Sequence, residues 1–420
     1  MNDSLSRRGF LAGSAAAAAA LVAGCEHSTS AFAGPSGPPS KRLAAIQTAY
    51  YLRSHAYHIT GRFIHGFPVN GVHHQPDWKV VRMYNDQFPP NDLSRALAEK
   101  KGFEISRTVA DALGGEKGLD VDAVLLVAEH GDYPMNEFGQ KLYPRHRLFM
   151  EIVSHFRKVG KSVPVFNDKH LSYSHTLARE MVQASRDLNF GLMAGSSLPV
   201  TWRRPELEPP IGTPLVEGLC CGYSSNEAYA FHSLETLQVM MERRLEREPG
   251  VKSVLGLRGP AVWKAGDDGL WSWDLLEAAL SRSPSRNYGD PRDNVANPMA
   301  ILVEYLDGAR GAILQLDEHV QDFTFAGRIR GQREPISSLF ELPQPPGARY
   351  FSALTWNIEK LFRAGRTPYP VERTLLTGTI LDFAMHSLAA NGEKLSDPAL
   401  AVSYAAPVES GFMRGKASDA

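Results

Sequence analysis

Between Val121 and Gly195 apolar and mixed segments alternate with a regular spacing. An apolar run, Ala123–Ala128, empties into Glu129-His130-Gly131-Asp132-Tyr133, and a second, Ser162–Phe166, empties into Asn167-Asp168-Lys169-His170. Helical periodicity covers His146–Val159 between them and Ser174–Leu188 after them. Strand, helix, strand, helix at this spacing predicts parallel crossovers, and all-apolar strands suit a sheet covered on both faces. In such a sheet a ligand sits beyond the carboxyl ends of the strands, where the charged and imidazole side chains lie here. Upstream, strands are predicted at Arg42–Gln47, Lys79–Tyr84 and Gly102–Ile105, with helices over His55–Thr60 and Ser94–Lys101. Gly191–Gly195 is a further strand.

Past Pro199 the pattern changes. Pro205, Pro209, Pro210 and Pro214 mark a boundary, and longer strands follow one another: Leu215–Tyr223, Val251–Arg258, Met299–Leu306, Arg310–Leu316, Phe323–Ile329 and Ser338–Leu342. Asp307-Gly308 predicts a hairpin turn between two of them. A helix over Glu227–Arg244 carries Phe231, Leu234, Leu237 and Met241 on one face. Two more close the chain, one striped by Phe351, Leu354, Ile358 and Leu361, the other following Pro370 with Leu376, Ile380 and Phe383.

Composition narrows the function classes. The 45 basic and 46 acidic residues balance without a long basic run, which argues against a nucleic-acid partner. Beyond residue 25 no stretch is apolar enough to cross a bilayer. Ser6-Arg7-Arg8-Gly9-Phe10-Leu11 resembles a twin-arginine export signal, and Leu21-Val22-Ala23-Gly24-Cys25 resembles a lipobox with Cys25 as the lipidated residue. Residues 1–25 are therefore expected to be a signal, residues 26–40 a flexible tether, and the mature protein periplasmic or membrane-anchored through its lipid alone. An ordinary signal cleaved near Ala33 is the alternative. Cys220 and Cys221 are adjacent and read as a buried strand rather than a disulfide.

The order of these segments resembles the glucose–fructose oxidoreductase and inositol dehydrogenase family over about residues 42 to 404. Asp122–Ala128 resembles its fourth strand, and Gly160–Lys169 its Gly-Lys-x-Val…Glu-Lys-Pro strand, which places Lys169 on the family's active-site lysine. Glu227–His232 resembles its Asp-x-x-x-His helix, and Pro370–Arg373 with Ala384–Ser387 fits the helix that packs back. The resemblance implies an α/β protein: a Rossmann domain, a doubly wound parallel sheet, over residues 41–198, then an α+β domain with an open, mostly antiparallel sheet over residues 199–420. It also implies that the exposed face of that sheet pairs between subunits in a homo-oligomer.

By the same resemblance a sugar or polyol loses a hydride from a CH–OH group to NAD or NADP, and a proton to the protein. Lys169 would hold the hydroxyl and His232 accept the proton, with His170 beside them. Gln47, Thr48 and Ala49 would face the cofactor phosphates, Asp86 its adenine ribose, and Glu129, His130 and Asp168 the rest of the crevice. Three departures matter. Gln47-Thr48-Ala49-Tyr50 stands where a glycine-rich turn belongs, His170 replaces a proline, and Ala228 replaces the carboxylate four residues before His232. Tyr229, which shares the face of His232, is then the expected helper.

Two other readings come from the residues. Histidines cluster as His55-x-x-His58, His73-His74, Glu129-His130 and Asp168-x-His170, which suits a divalent metal driving hydration, elimination or hydrolysis of an oxidised sugar. Alternatively, Tyr50, Tyr51, Tyr57, Tyr133 and Trp202 would stack on sugar rings in a carbohydrate-binding lipoprotein. Arg145 and Arg147 would clamp an anionic group, and Gly195-Ser196-Ser197 would shape the pocket floor.

Overall fold

The computed structural model describes residues 41–69, 71–343 and 347–416. The expected signal and tether lie outside them. Six parallel strands form the first sheet: β1 (Lys41–Gln47), β2 (Trp78–Asn85), β3 (Glu104–Ile105), β4 (Ala123–Val127), β5 (Val165–Asp168) and β6 (Leu192–Gly195). Their spatial order is β3-β2-β1-β4-β5-β6. The direction of winding therefore reverses between β1 and β4, the switch point at which doubly wound sheets bind ligands.

The central strands β1, from Leu43 on, and β4 are buried on both faces because both are covered. Leu43, Ala45, Leu125 and Val127 pack with Ile59 and Phe63 of α1 (His55–His65). Ala44, Ile46, Val124 and Leu126 point the other way, onto Leu148, Phe149 and Ile152 of α4 (Arg145–Val159). Between these helices in sequence lie α2 (Ser94–Lys101) and α3 (Val109–Leu113); α5 (His175–Asp187) follows β5. The strand expected at Ser162–Phe166 starts at Val165 and runs to Asp168, which brings Lys169 to its carboxyl end.

The second sheet has seven strands. They are β7 (Trp202–Arg204), β8 (Leu215–Gly222), β9 (Val251–Arg258), β10 (Met299–Tyr305), β11 (Arg310–Gln315), β12 (Phe323–Ile329) and β13 (Ile336–Glu341). Their order is β9-β10-β11-β8-β12-β13-β7, and only β8 and β11 pair in parallel. Gly308, at φ 85°, makes the expected turn between β10 and β11. Cys220 and Cys221 are free and buried in β8. One face of the sheet carries α6 (Glu227–Met241), whose Phe231, Leu234, Leu237 and Met241 pack inward as the periodicity predicts.

The other face differs from the expectation. Two helices that the pattern did not reveal, α7 (Pro260–Asp267) and α8 (Trp273–Leu280), lay Val262, Leu275, Leu276 and Ala279 over Leu219, Leu302, Leu314 and Ala326. The face that the resemblance leaves open for subunit pairing is thus largely covered by the chain itself. The C-terminal segment also returns to the first sheet. Phe351, Leu354, Ile358 and Leu361 of α9 (Tyr350–Ala364) join the core under α1, while α10 (Val371–Ala389) packs against α5, α6 and β9. A cut after residue 198 divides the chain but not the packing.

Candidate active site

The carboxyl ends of β4, β5 and β6 each deliver polar groups to a common cavity of about 300 Å³. Glu129 lies just past β4, Lys169 follows β5, and Ser196 follows β6. From the second sheet's side, α6 contributes His232 and Tyr229. The Lys169 Nζ is 2.6 Å from His232 Nε2. These two side chains, 63 positions apart, meet as expected. Backbone strain marks the same wall: Arg53, His130 and Lys169 line the cavity at φ of 69°, 75° and 67°. Non-glycine residues in that region cost about 1–3 kcal/mol each, and proteins keep such strain mainly where it positions functional groups.

The helper of His232 is not Tyr229. That ring stands edge-on to the imidazole at 6.0 Å between centroids and packs against Tyr223. Instead His232 Nδ1 lies 2.9 Å from Ser196 Oγ, which donates at 2.5 Å to Glu235 Oε2. Glu235 also accepts the Ser196 backbone N–H at 2.9 Å. Because Ser196 spends its proton on the carboxylate, its oxygen receives Nδ1–H, and the Nε2 lone pair faces Lys169. Glu235 sits three residues beyond His232 on the same helix face, so it replaces the carboxylate missing at Ala228 by way of a hydroxyl from the other sheet. Burial, then the charges of Lys169 and His55, hold His232 well below the ordinary imidazole range. Burial pushes the Glu235 carboxyl up to about 7, against the pull of the Ser196 hydrogen bonds. The result is a buried line of four groups, Lys169, His232, Ser196 and Glu235, along which one proton can step.

Gly195 makes room for its end. At φ 124°, a Cβ there would stand 2.6 Å from Glu235 Oε1. Gly195→Ala is expected to push the carboxylate off Ser196, lowering stability by about 1–3 kcal/mol and the turnover rate at least roughly tenfold. Thermal melts and rate assays on one preparation check both.

Glu129 is held by Arg145, and its second oxygen lies 3.8 Å from Lys169 Nζ. Burial alone would raise this carboxyl, but the charges of Lys169 and Arg145 outweigh it and keep Glu129 ionised. His170 does not reach the cavity. It is buried behind the wall, 3.3 Å from Arg145 and 3.8 Å from Glu227.

No protein-family model and no curated protein sequence matches the chain. Solved structures do. GenD2 from gentamicin A biosynthesis, solved in complex with NAD, superposes with a TM-score of 0.53 at 12% identity over 86% of this chain and 98% of its own. Apo scyllo-inositol dehydrogenase from Lactobacillus casei gives 0.52 at 10% identity, over 85% and 99%. For myo-inositol 2-dehydrogenase from Lactobacillus plantarum the score is 0.51 at 12%, over 86% and 99%. The chain has the inositol dehydrogenase fold. The resemblance read from segment order is borne out at the level of architecture, from the parallel sheet to the mixed one.

In the inositol dehydrogenase fold a dinucleotide would lie across the ends of β1 and β4, its phosphates at the start of α1. The residues here do not fit one. Gln47 is fully buried, bonded to Asn85 at 2.8 Å and Thr60 at 3.1 Å. Thr48 donates to the Glu129 carbonyl at 2.9 Å, and Ala49 is fully buried. None of the three lines the cavity. The α1 start is capped internally, by Ser54 Oγ on Tyr57 N–H and by His130 Nδ1 3.4 Å from His55 N–H. Asp86 is equally committed: Tyr133 donates to it at 2.7 Å, Tyr84 at 2.9 Å and Arg147 at 2.6 Å. Beside it Gln87 exchanges two 2.9 Å hydrogen bonds with the Asp132 backbone. The loops after β2 and β4 are thus stitched together over the end of β1. Glu129, His130 and Asp168 do line the cavity, away from that stitched region.

Other expectations meet the same kind of internal pairing. Arg145 and Arg147 hold Glu129 and Asp86, not a ligand. His74 is bonded to Glu359 at 2.6 Å, and His58 stacks on Phe351 with centroids 4.8 Å apart. Among the described residues no three His, Cys, Asp or Glu side chains are grouped to hold a metal ion, so the divalent-metal reading lacks a ligand set. Tyr50 and Trp202 are buried at 1% exposure and offer no sugar platform. The aromatic walls of the cavity are Tyr223, Tyr229, Phe323, Tyr350 and Phe351.

Proposed function

We propose that this protein is an enzyme acting on a sugar or polyol at a CH–OH carbon, with Lys169 and His232 moving the proton. The observation that carries this is the 2.6 Å contact between them inside an aromatic-walled cavity. A hydroxyl on Lys169 Nζ loses its proton to the lysine as the lysine passes one to His232 Nε2. Nδ1–H then moves to Ser196, and the serine proton to Glu235. Aromatic faces suit the C–H faces of a sugar ring, while Glu129 and Asp168 can accept from its hydroxyls. The architectural likeness to sugar and polyol dehydrogenases supports an oxidoreductase of this kind. A nicotinamide, NAD or NADP, would supply the hydride acceptor, and the internally bonded β1 end argues against its conventional seat.

That closed region favours a second reading, in which the same pair works without hydride transfer. The carbon-bound proton beside the carbonyl of an oxidised sugar is acidic enough for a lysine–histidine pair to remove. Elimination or epimerisation then follows without a redox cofactor. Nucleotide binding separates the two. On the second reading the full-length protein releases no nucleotide on denaturation and leaves NADH and NADPH fluorescence unchanged on titration. A stoichiometric nucleotide would restore the hydride reading and remove the second. Export by the twin-arginine route and lipidation at Cys25 rest on the sequence motifs.

A further inference from the structure

At the start of α1, where the inositol dehydrogenase fold would seat phosphates, this chain has a histidine–carboxylate pair. His55 Nδ1 is 2.6 Å from Asp168 Oδ2. Both residues line the cavity that holds Lys169 and His232. Asp168 is 1% exposed, and its second oxygen, Oδ1, is buried without a hydrogen-bond partner. A buried acceptor left unpaired costs about 1–3 kcal/mol, and a sugar hydroxyl entering this cavity would relieve it. His55 itself is partly open, at 18% side-chain exposure. Its ring is wedged between His130 and Phe351, at centroid distances of 5.2 and 5.1 Å. With Nδ1 fixed on the carboxylate, only Nε2 remains to exchange a proton, the arrangement by which a carboxylate orients a general acid or base.

From this we infer that His55, oriented by Asp168, is a second acid–base group of the site and makes the enzyme a β-eliminating lyase of oxidised glycosides. The inference rests on the second reading above. Lys169 takes the proton from the carbon beside the carbonyl, and the C–H electron pair becomes a carbon–carbon double bond. The neighbouring C–O bond breaks, its electrons leave with the oxygen, and that oxygen takes the Nε2 proton of the His55 imidazolium, leaving a neutral ring with Nδ1–H on Asp168. The products are an unsaturated ketosugar and an alcohol, and the sum involves no oxidant or reductant. Lys169 begins the reaction and passes a proton on to His232, 2.6 Å away, so the leaving oxygen draws on a donor of its own. An acid from a different element of the same cavity is what the step requires.

Methyl 3-keto-α-D-glucopyranoside in D₂O is a suitable probe for the full-length protein. Proton NMR follows both deuterium entry at C2, which reports proton abstraction, and methanol release, which reports elimination. The wild-type protein is expected to catalyse both. In His55→Ala the ratio of methanol released to deuterium incorporated should fall roughly 100-fold, with partial recovery on adding imidazole. Asp168→Asn should lower the same ratio with no recovery, since the imidazole is present but misoriented. An unchanged ratio in His55→Ala, with the variant's thermal melt intact, overturns the inference while leaving proton abstraction in place. A wild-type protein that neither exchanges nor eliminates overturns the second reading itself, a separate result.

Discussion

Lys169→Ala is expected to lower proton abstraction from the ketosugar probe about 10³- to 10⁴-fold while shifting the unfolding free energy by less than about 1 kcal/mol. The two halves of that expectation have different causes. The activity falls because Nζ is the group of the relay that meets substrate; without it the lone pair of His232 Nε2 faces an empty space too far back in the wall. Stability holds because the buried Glu129, whose charge Lys169 and Arg145 both favour, keeps the closer of its two cationic partners. Glu129 keeps Arg145, and water entering the vacated space can donate to His232. Deuterium entry followed by NMR, with a melt on the same sample, measures both. Wild-type exchange in the variant would remove Lys169 from the chemistry, and a collapsed melt would make it a structural residue. His232→Ala should be slow as well, but less so, since Lys169 would still touch the substrate.

The same expectation shows what could be read from residue order and what could not. Lys169 and His232 are legible because each ends or sits on an element whose periodicity is plain, Val165–Asp168 and Glu227–Met241, and because crossover topology sends strand ends to one edge. The covering of both sheet faces is legible in runs such as Ala123–Val127, apolar at every position. Ser196 is legible only as part of the pocket floor; its pairing with Glu235 is not, because it joins a turn after β6 to a helix 39 residues on, and no local pattern encodes it. Tyr229 shares the correct helix face but is held by Tyr223 and Phe323. Asp86 stands at the strand end where a ribose ligand is expected, yet its partners Tyr133 and Arg147 come from 47 and 61 positions away. The missing glycines at Gln47 and Ala49 were the readable sign that the phosphate seat is lost. The helices α7 and α8 had readable signals too, Pro260 at a helix start and Ser272 capping Leu275 N–H.

Glu235→Gln should separate the last member of the relay from a merely structural buried acid. Burial raises the folded carboxyl to about 7 from an ordinary 4.5, because ionising it inside the wall costs more than Ser196, Arg373 and Lys169 return. Between those values the folded protein keeps a proton that the unfolded chain has lost. Stability from this group is therefore fully present below pH 4.5, declines as pH rises to about 7, and is flat beyond. A glutamine carries no such titration and can still accept from Ser196 through its carbonyl. The variant should match wild type near pH 5 and exceed it above pH 7 by something on the order of 2 to 4 kcal/mol. Glu227, pushed to a similar range by burial, titrates in both proteins and cancels in the difference. The rate should move the opposite way, falling roughly 10²- to 10³-fold because the proton leaving Ser196 has no acceptor. Melts and exchange rates across pH 5 to 8 test the two together. A variant that is slower but whose stability gap does not widen with pH would show Glu235 already ionised and serving only to aim Ser196. One that widens without slowing would place a buried acid beside the reaction but outside its proton path.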